Sequence, residues 1–528
     1  MARRRFDLHS PVWHTLLLTA AIGIFVLIAA RFIDLPFVWR YDYPSAHNAT
    51  NAINHLSYGL SVTKGALVRN ANPEVPERLL ISSHHPPLLS LTVAASYAVF
   101  GIHEAAARGV ILFFSALNVL LLYWSVRLLI GKATALPSAV IFALLPLQIV
   151  YSTKVNFEPM VLTYVLAMLV AYGYWLRRPG WLLFLPMAIL FCLGTMVDWG
   201  AYYIGGILPA FHFLNRLYCR EEIRSADYTL WVLSLLGLLM FALFIGHLYF
   251  VDPKLVGDLR DLAAQRSGMH EGLDDAAGGF SNFSLLERTV SRSALLFTLP
   301  ALALGVTGLL LSVAKLAGSP RGSQRGAQFV LLFWALGLSH FLIFRHVYWV
   351  HEFLVHTLMA PVAVSAGWLI ASMPRVLPRR VSVAAVAVFA LAFLPWSLTQ
   401  TRQKFWDGQI AEILPLAEYI QRTVPEGSVI LTSATHHPFL HPAVPHYARR
   451  DVIDGIETLE ALEKRAADWR SSPVYFMAYE GRSVNPEAVR ELASHLDQRY
   501  QAQRTPWGSL YDLSVPPKNP AHGGIESN

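Results

Sequence analysis

Cysteine is nearly absent from this chain of 528 residues: two occur, Cys192 inside an apolar run and Cys219 at the end of the next. So few thiols exclude a disulfide scaffold and a zinc-cysteine centre. Charge is scarce too, at 15% of residues, where a soluble domain carries roughly 25%. The chain has no Walker A loop, no dinucleotide-binding glycine pattern and no HExxH stretch. Those gaps argue against a nucleotide-driven pump, a Rossmann oxidoreductase and a zinc protease. The polar loops lack any nucleic-acid signature, so the net charge of +7 is informative through where the basic residues fall along the chain.

What the chain has is apolar length. Hydrophobic residues make up 54% of it and its mean hydropathy is +0.42, which places most of the chain in lipid. A crossing helix needs about 20 mostly apolar residues, because each advances 1.5 Å through about 30 Å of hydrocarbon. About eleven segments meet that demand: 12–30, 109–126, 133–150, 159–176, 181–197, 200–218, 228–250, 294–314, 327–344, 354–372 and 381–398. The first has a basic head and no small-residue cleavage site, so it is expected to be retained as a helix.

The basic residues sort these spans. With a cytoplasmic amino terminus, Arg3, Arg4 and Arg5, Arg127 and Lys132, Arg177 and Arg178, Arg216, Arg220 and Arg224, Lys315, Arg321 and Arg325, and Arg375, Arg379 and Arg380 all fall on one side, as the positive-inside rule requires. The opposite side then receives the loop 31–108, the turn 151–158, Asp198, the loop 251–293, the turn 345–353 and everything after residue 398. The expected organisation is a polytopic all-α membrane domain over 1–398 with an outer loop 31–108. A small extracytoplasmic α/β domain over 399–516 follows, then a disordered tail over 517–528. Stretches such as "SVILTSA", "PVYFMAYE" and "GSLYDLSV" read as strands, and "ILPLAEYIQRTV" and "NPEAVRELASHLDQRY" as helices. The run from Pro86 to Phe100 is too short to cross and reads as an interfacial helix. The stretch "SATHHPFLHPAVPHYARR" in the tail either shapes an acceptor surface or forms an ordered loop.

The polar residues of the outer side carry the chemistry. Asp42, in "RYDY", could take a proton from an attacking hydroxyl, although a loop aspartate beside arginine is also an ordinary solvated group. In "ISSHHPPLLSL", His84 and His85 offer donors and acceptors to a phosphate or a sugar; they would equally serve as a hydrogen-bonded cap. Glu158 in "YSTKVNFEPM" stands at the positive end of a helix, where an acid is favoured whether or not it is functional. Lys154, four residues before it, suits either a phosphate or the membrane interface. Asp198 interrupts two apolar runs, where a charge usually faces a polar cavity. The turn "RHVYWVHEF" gathers Arg345, His346, Tyr348, His351 and Glu352. Arg345 is fitted to phosphate, and His351 and Glu352, with His84, are the candidates for holding a divalent cation. A structural polar cap is the other reading of that turn.

Taken together, this arrangement resembles the GT-C membrane glycosyltransferases, in particular the family containing protein O-mannosyltransferases and the lipid A aminoarabinose transferase. The resemblance runs over residues 10–400. It rests on Asp42 in the first outer loop, on His84 and His85 before the two prolines, on the following "FGIHEAAARG", on Glu158 in the second outer loop, and on the turn from Arg345 to His356. Two departures stand out: one acid in "YDYP" where relatives carry a pair, and His85 where the aminoarabinose transferases have lysine.

The resemblance implies transfer of a sugar from a polyprenyl phosphate donor to a lipid, glycan or protein acceptor at the outer membrane face, with inversion at the anomeric carbon. Asp42 and Glu158 would be the catalytic acids. His84, His85, Lys154, Asp198, Arg345, His346, Tyr348, His351 and Glu352 would bind substrate. No cofactor is implied beyond a divalent cation at His84, His351 and Glu352, and the expected location is a bacterial inner membrane. A transporter or lipid flippase would also need many spans and buried polar groups, and a noncatalytic scaffold whose outer domain recruits a partner is a further alternative.

Overall fold

The computed structural model describes residues 11–268, 281–318, 324–406, 408–435, 438–479 and 485–518. Arg3, Arg4, Arg5, Arg321, His436, His437 and the tail from 519 onward lie outside the described residues. The chain forms two compact units. The first holds Met1–Leu35, Ser83–Leu89 and Ala105–Trp406; the second holds Pro36–Ser82, Ser90–Glu104 and Asp407–Asn528.

The first unit is helical and marks the chain as a multi-pass membrane protein. Among the described residues eight helices are long and apolar enough to cross a bilayer: Val12–Ala30, Glu104–Leu129, Phe157–Trp175, Ser225–Val251, Leu299–Gly318, Arg325–Ile343, Glu352–Val376 and Arg379–Lys404. The other three expected spans take different forms. The stretch expected at 133–150 is two helices, Lys132–Ala143 and Pro146–Tyr151, because Pro146 opens a new helix at the position where its missing N–H costs nothing. Inside lipid that break would strand the carbonyl of Leu144, and Ser397 Oγ donates to it. The next two are Trp181–Thr195, of 15 residues, and Tyr202–Cys219, of 18.

Helix packing relies on close approach rather than on a hydrophobic gradient, which lipid does not provide. Met359–Val376 is the central helix, packed on Lys132–Ala143 and Leu299–Gly318. Gly308 meets the backbone carbonyl of Ser365 there, and Gly367 meets Ser138; a side chain on either glycine would collide with its neighbour.

The second unit contains the sheets. Strands β1 (Leu67–Val68) and β2 (Ile81–Ser82) form an antiparallel pair. Strands β3 (Val429–Thr432), β4 (Asp451–Ile453), β5 (Val474–Ala478), β6 (Ala502–Thr505) and β7 (Gly508–Asp512) form one sheet in the order β4-β3-β5-β7-β6. β3 runs parallel to both β4 and β5, and β7 is antiparallel to β5 and β6. Parallel strands need crossovers: the helix Ala443–Ala448 lies between β3 and β4, and Leu459–Ala467, whose N-cap Thr458 accepts from Ala461 N, lies between β4 and β5. The core gathers Val429, Leu431, Leu462, Trp469, Phe476, Leu492 and Tyr511.

The loop after the first span is tied into this unit by one buried acid. Asp451 accepts hydrogen bonds from Asn70 Nδ2 at 2.8 Å, Ala71 N at 2.6 Å and Asn72 Nδ2 at 3.1 Å. Four N–H and amide donors converge on it when Asn72 N at 3.4 Å is included; they offset part of the cost of its burial, which still raises the carboxyl above its ordinary value.

Candidate active site

The prolines of "HHPP" stand just before the helix Leu88–Phe100 rather than in its first turn. Neither contributes an N–H, and the amide of Leu88, which the helix leaves unsatisfied, donates to Met196 O at 3.0 Å. The histidine pair is thereby fixed against the segment that carries Asp198. His85 Nδ1 lies 2.7 Å from Asp198 Oδ1, and its ring stacks on Phe157 with centroids 4.1 Å apart. His84 contributes its backbone carbonyl, which accepts from Trp199 Nε1 at 2.9 Å. Burial would raise the Asp198 carboxyl, but the charge and hydrogen bond of His85, the charge of His340 and the backbone N–H of Trp199 together hold the group below its ordinary value.

Phe157 opens the helix that carries Glu158. Its first turn is anchored by Asn118, whose Nδ2 donates to Pro159 O at 2.7 Å and whose Oδ1 accepts from Thr163 Oγ1 at 2.7 Å. Glu158 and Asp198 then line one cleft of about 750 Å³ together with Tyr203, His340, His356 and Thr357. Glu158 Oε2, His340 Nδ1 and His356 Nε2 are buried there without a hydrogen-bond partner among the described residues. Tyr203 and His340 meet edge to face at 5.8 Å.

Away from this polar end the cleft is walled by Leu162, Leu166 and Leu169 of the same helix and by Phe333 and Leu336 of Arg325–Ile343. At 1.5 Å per residue, Leu169 stands about 16 Å along the helix from Glu158.

Sequence reasoning did not single out His340 or Arg266, and it gave His356, at the end of the polar turn, and Tyr203, beside Asp198, no role of their own. An ionisable ring within an apolar span is the signal that could have found His340. Arg266 lies in the last turn of the helix Lys254–Ser267, where a cation is favoured by the helix dipole and where Gly268, at φ +77°, ends the helix. Its charge acts on Asp198, on His340 and on His351.

The turn that begins at Arg345 is arranged differently. Arg345 is exposed and donates to Asn282 Oδ1 at 3.2 Å. His346 stacks on Trp349 at 6.0 Å. Tyr348 is buried, with its hydroxyl 2.7 Å from Thr357 Oγ1. Glu352 pairs with Lys404 at 3.2 Å. Arg292 Nη1 donates to Tyr348 O at 2.5 Å and Arg288 Nη1 to Trp349 O at 3.2 Å, so the helix Asn282–Leu296 holds the turn. Of the residues expected to bind substrate, Asp198 lines the cleft and His85 contacts it through Asp198. His84, Lys154, only 4% exposed, Arg345, His346, Tyr348, His351 and Glu352 are not in its lining, and neither is Arg266.

No group of three or more His, Cys, Asp and Glu side chains is gathered as for a metal among the described residues. His84, His351 and Glu352 therefore do not fit a shared cation site, and no chemical step is assigned to one.

Asp42 belongs to the second unit. It is fully buried at the foot of the helix Tyr43–Ser57, and Ser45 Oγ donates to its Oδ1 at 3.0 Å.

Residues 84–250 match the family model described as dolichyl-phosphate-mannose-protein mannosyltransferase. No curated protein matches the chain. Among solved structures, ArnT from Cupriavidus metallidurans bound to undecaprenyl phosphate aligns with a TM-score of 0.61 at 13% identity, over 95% of this chain and 98% of that one. The chain has the GT-C fold. The archaeal oligosaccharyltransferase AglB from Archaeoglobus fulgidus, in complex with an inhibitory peptide and a dolichol-phosphate, aligns with a TM-score of 0.58 at 14% identity, over 94% and 74% of the two chains. The oligosaccharyltransferase of the same organism in complex with Zn and sulfate aligns at 0.56 and 15% identity, over 93% and 73%. The family match takes in Ser90–Glu104 of the second unit and otherwise lies in the first, and it includes His84, His85, Glu158 and Asp198.

Proposed function

We propose that this GT-C chain is a glycosyltransferase that moves a sugar from a polyprenyl phosphate donor to a lipid, glycan or protein acceptor at the outer face of a bacterial inner membrane. The observation that carries the reading is the two-ended cleft: acids at one end, and a wall of leucine and phenylalanine running about 16 Å from them. An amphiphile with a polar head and a hydrocarbon tail has that shape and polarity. A lipid-borne donor also accounts for a sugar-transferring chain that has no nucleotide-binding motif.

In this reading the chain crosses the membrane eleven times, the shorter helices included, and the second unit is extracytoplasmic. Asp42 takes the proton of the acceptor hydroxyl as its oxygen attacks the anomeric carbon. The bond from that carbon to the donor's phosphate oxygen breaks, and inversion follows from direct attack. Glu158 orients sugar hydroxyls, and Asp198, held ionised by His85, does the same from the other side of the cleft. Arg266 stabilises the charge that grows on the departing lipid phosphate, a contribution that strengthens as the bond breaks. A divalent cation would need ligands other than the set His84, His351 and Glu352, and the reaction as written requires none.

The test is transfer from labelled polyprenyl phosphate sugars by the purified chain, with lipid, glycan and protein acceptors offered in turn. Asp42→Asn is expected to lower turnover by about 10² to 10⁴, the usual contribution of a positioned base. A folded Asp42→Asn variant with full turnover would remove the base role, and the absence of any labelled product from the wild-type chain with every donor and acceptor would remove the reading itself.

A further inference from the structure

The second unit contains a cleft of about 830 Å³ that the reaction above does not use. Its lining includes Tyr43, His47, Arg69, Phe439, His441 and Asp454. Tyr43 directly follows Asp42 in sequence and begins the helix at whose foot that acid is held. Its ring meets His441 edge to face at 5.7 Å.

Arg69 and Asp454 are both exposed, both line this cleft, and neither forms an ion pair among the described residues. They nevertheless act on one group. Burial pushes the Tyr43 hydroxyl above its ordinary value, Arg69 pulls it down and Asp454 pushes it up. A cation with five donors, a carboxylate that only accepts, two imidazoles that do both and a phenol therefore face one space. That inventory matches a polyhydroxylated ligand, whose hydroxyls each donate and accept, and the rings of Tyr43 and Phe439 offer apolar faces to a sugar's C–H groups. Leu80, Leu440, Pro442, Val452 and Ile453 also line the cleft; a peptide acceptor that adds to the sheet would need a long free strand edge, and strand β4 has three residues.

We infer that this cleft is the acceptor subsite and that it binds the hydroxyl-rich part of a carbohydrate acceptor, with Arg69 and Asp454 as its specificity-determining charges. The inference rests on the reading of the chain as a glycosyltransferase and narrows its acceptor from three classes to glycans, free or carried on lipid.

The experiment measures binding, not transfer. Full-length chain in nanodiscs free of glycolipid and sugar detergent is offered soluble oligosaccharides, the same oligosaccharides on a lipid anchor, and a Ser/Thr-rich peptide. Saturation-transfer NMR reads contact and a titration reads affinity. Glycan binding in the soluble or the lipid arm, weakened tenfold or more by Arg69→Gln and by Asp454→Ala, is the expected result, since one hydrogen bond to a charged group accounts for a factor of that order. The soluble arm distinguishes a free glycan from one recognised only on lipid. Both substituted residues are exposed, so the variants should keep the fold, and unchanged thermal midpoints check this. Absence of glycan binding in both arms, binding of the peptide alone, or glycan affinity unchanged in both variants would overturn the assignment. A chain that transfers sugar yet fails this test loses the subsite and keeps the activity.

Discussion

His85 Nδ1 and Asp198 Oδ1 lie 2.7 Å apart although 113 positions separate them in the chain. Both side chains are mostly shielded, at 20% and 14% exposed. Removing one partner leaves the other without its hydrogen bond, so His85→Ala should lower stability by about 1–3 kcal/mol. The double variant His85→Ala, Asp198→Asn should regain part of that loss in a mutant cycle, measured by chemical denaturation in nanodiscs. Strict additivity of the two single changes would mean that the contact contributes nothing.

Glu158 presents to the cleft an oxygen with no hydrogen-bond partner among the described residues. Glu158→Gln preserves the shape and removes the ionisable carboxyl. The expected outcome is a turnover loss of about 10² together with a thermal midpoint equal to or above that of the wild type, because burying an amide costs no more than burying an ionisable carboxyl with an unpartnered oxygen. A fall in the midpoint with unchanged turnover would show that the acid only starts its helix.

Arg266 and Arg345 separate two accounts of the leaving group. Arg266 acts on Asp198 and His340, whereas Arg345 is bonded to Asn282 at the surface. Arg266→Ala is expected to lower kcat by about 10², in line with the loss of one preorganised charge donor, and Arg345→Ala by no more than a few-fold. The reverse order in a steady-state transfer assay would return the phosphate to Arg345.

His55 supplies a pH signature for the second unit. It is buried with Ser90 Oγ 3.0 Å from Nε2, and burial lowers its pKa to about 4. The unfolded chain binds this proton near the ordinary value of about 6.5, so the unfolded state carries more protons between those limits. Stability is complete above pH 6.5 and falls as the pH drops toward 4, by at most about 1.4 kcal/mol per pH unit from this group. His55→Gln should flatten the thermal midpoint against pH over that window; an unchanged slope would assign the dependence to other groups.

The fold was legible where one physical rule acts alone. Eight of the expected spans are long apolar helices because crossing hydrocarbon demands length and hydropathy, and both can be read off a linear string. The stretch 133–150 failed as one span because its apolar composition continues through Pro146, which restarts the helix. In the cleft, Glu158 and Asp198 could be singled out since each interrupts greasy sequence. The pairing of Asp198 with His85 could not, because it joins residues 113 positions apart. His340 was hidden for the opposite reason: a lone histidine among apolar residues looks like packing until its neighbours are known. The apolar wall was invisible as a wall, since leucines lining a cleft and leucines facing lipid have the same periodicity.

That wall has a kinetic consequence. A donor seated against Leu162, Leu166 and Leu169 approaches by lateral diffusion within the bilayer, so the concentration the chain senses is a mole fraction of lipid rather than an amount per volume of buffer. Spreading a fixed quantity of donor among more inert phospholipid then slows turnover, while diluting the same vesicles tenfold in buffer leaves turnover per vesicle unchanged.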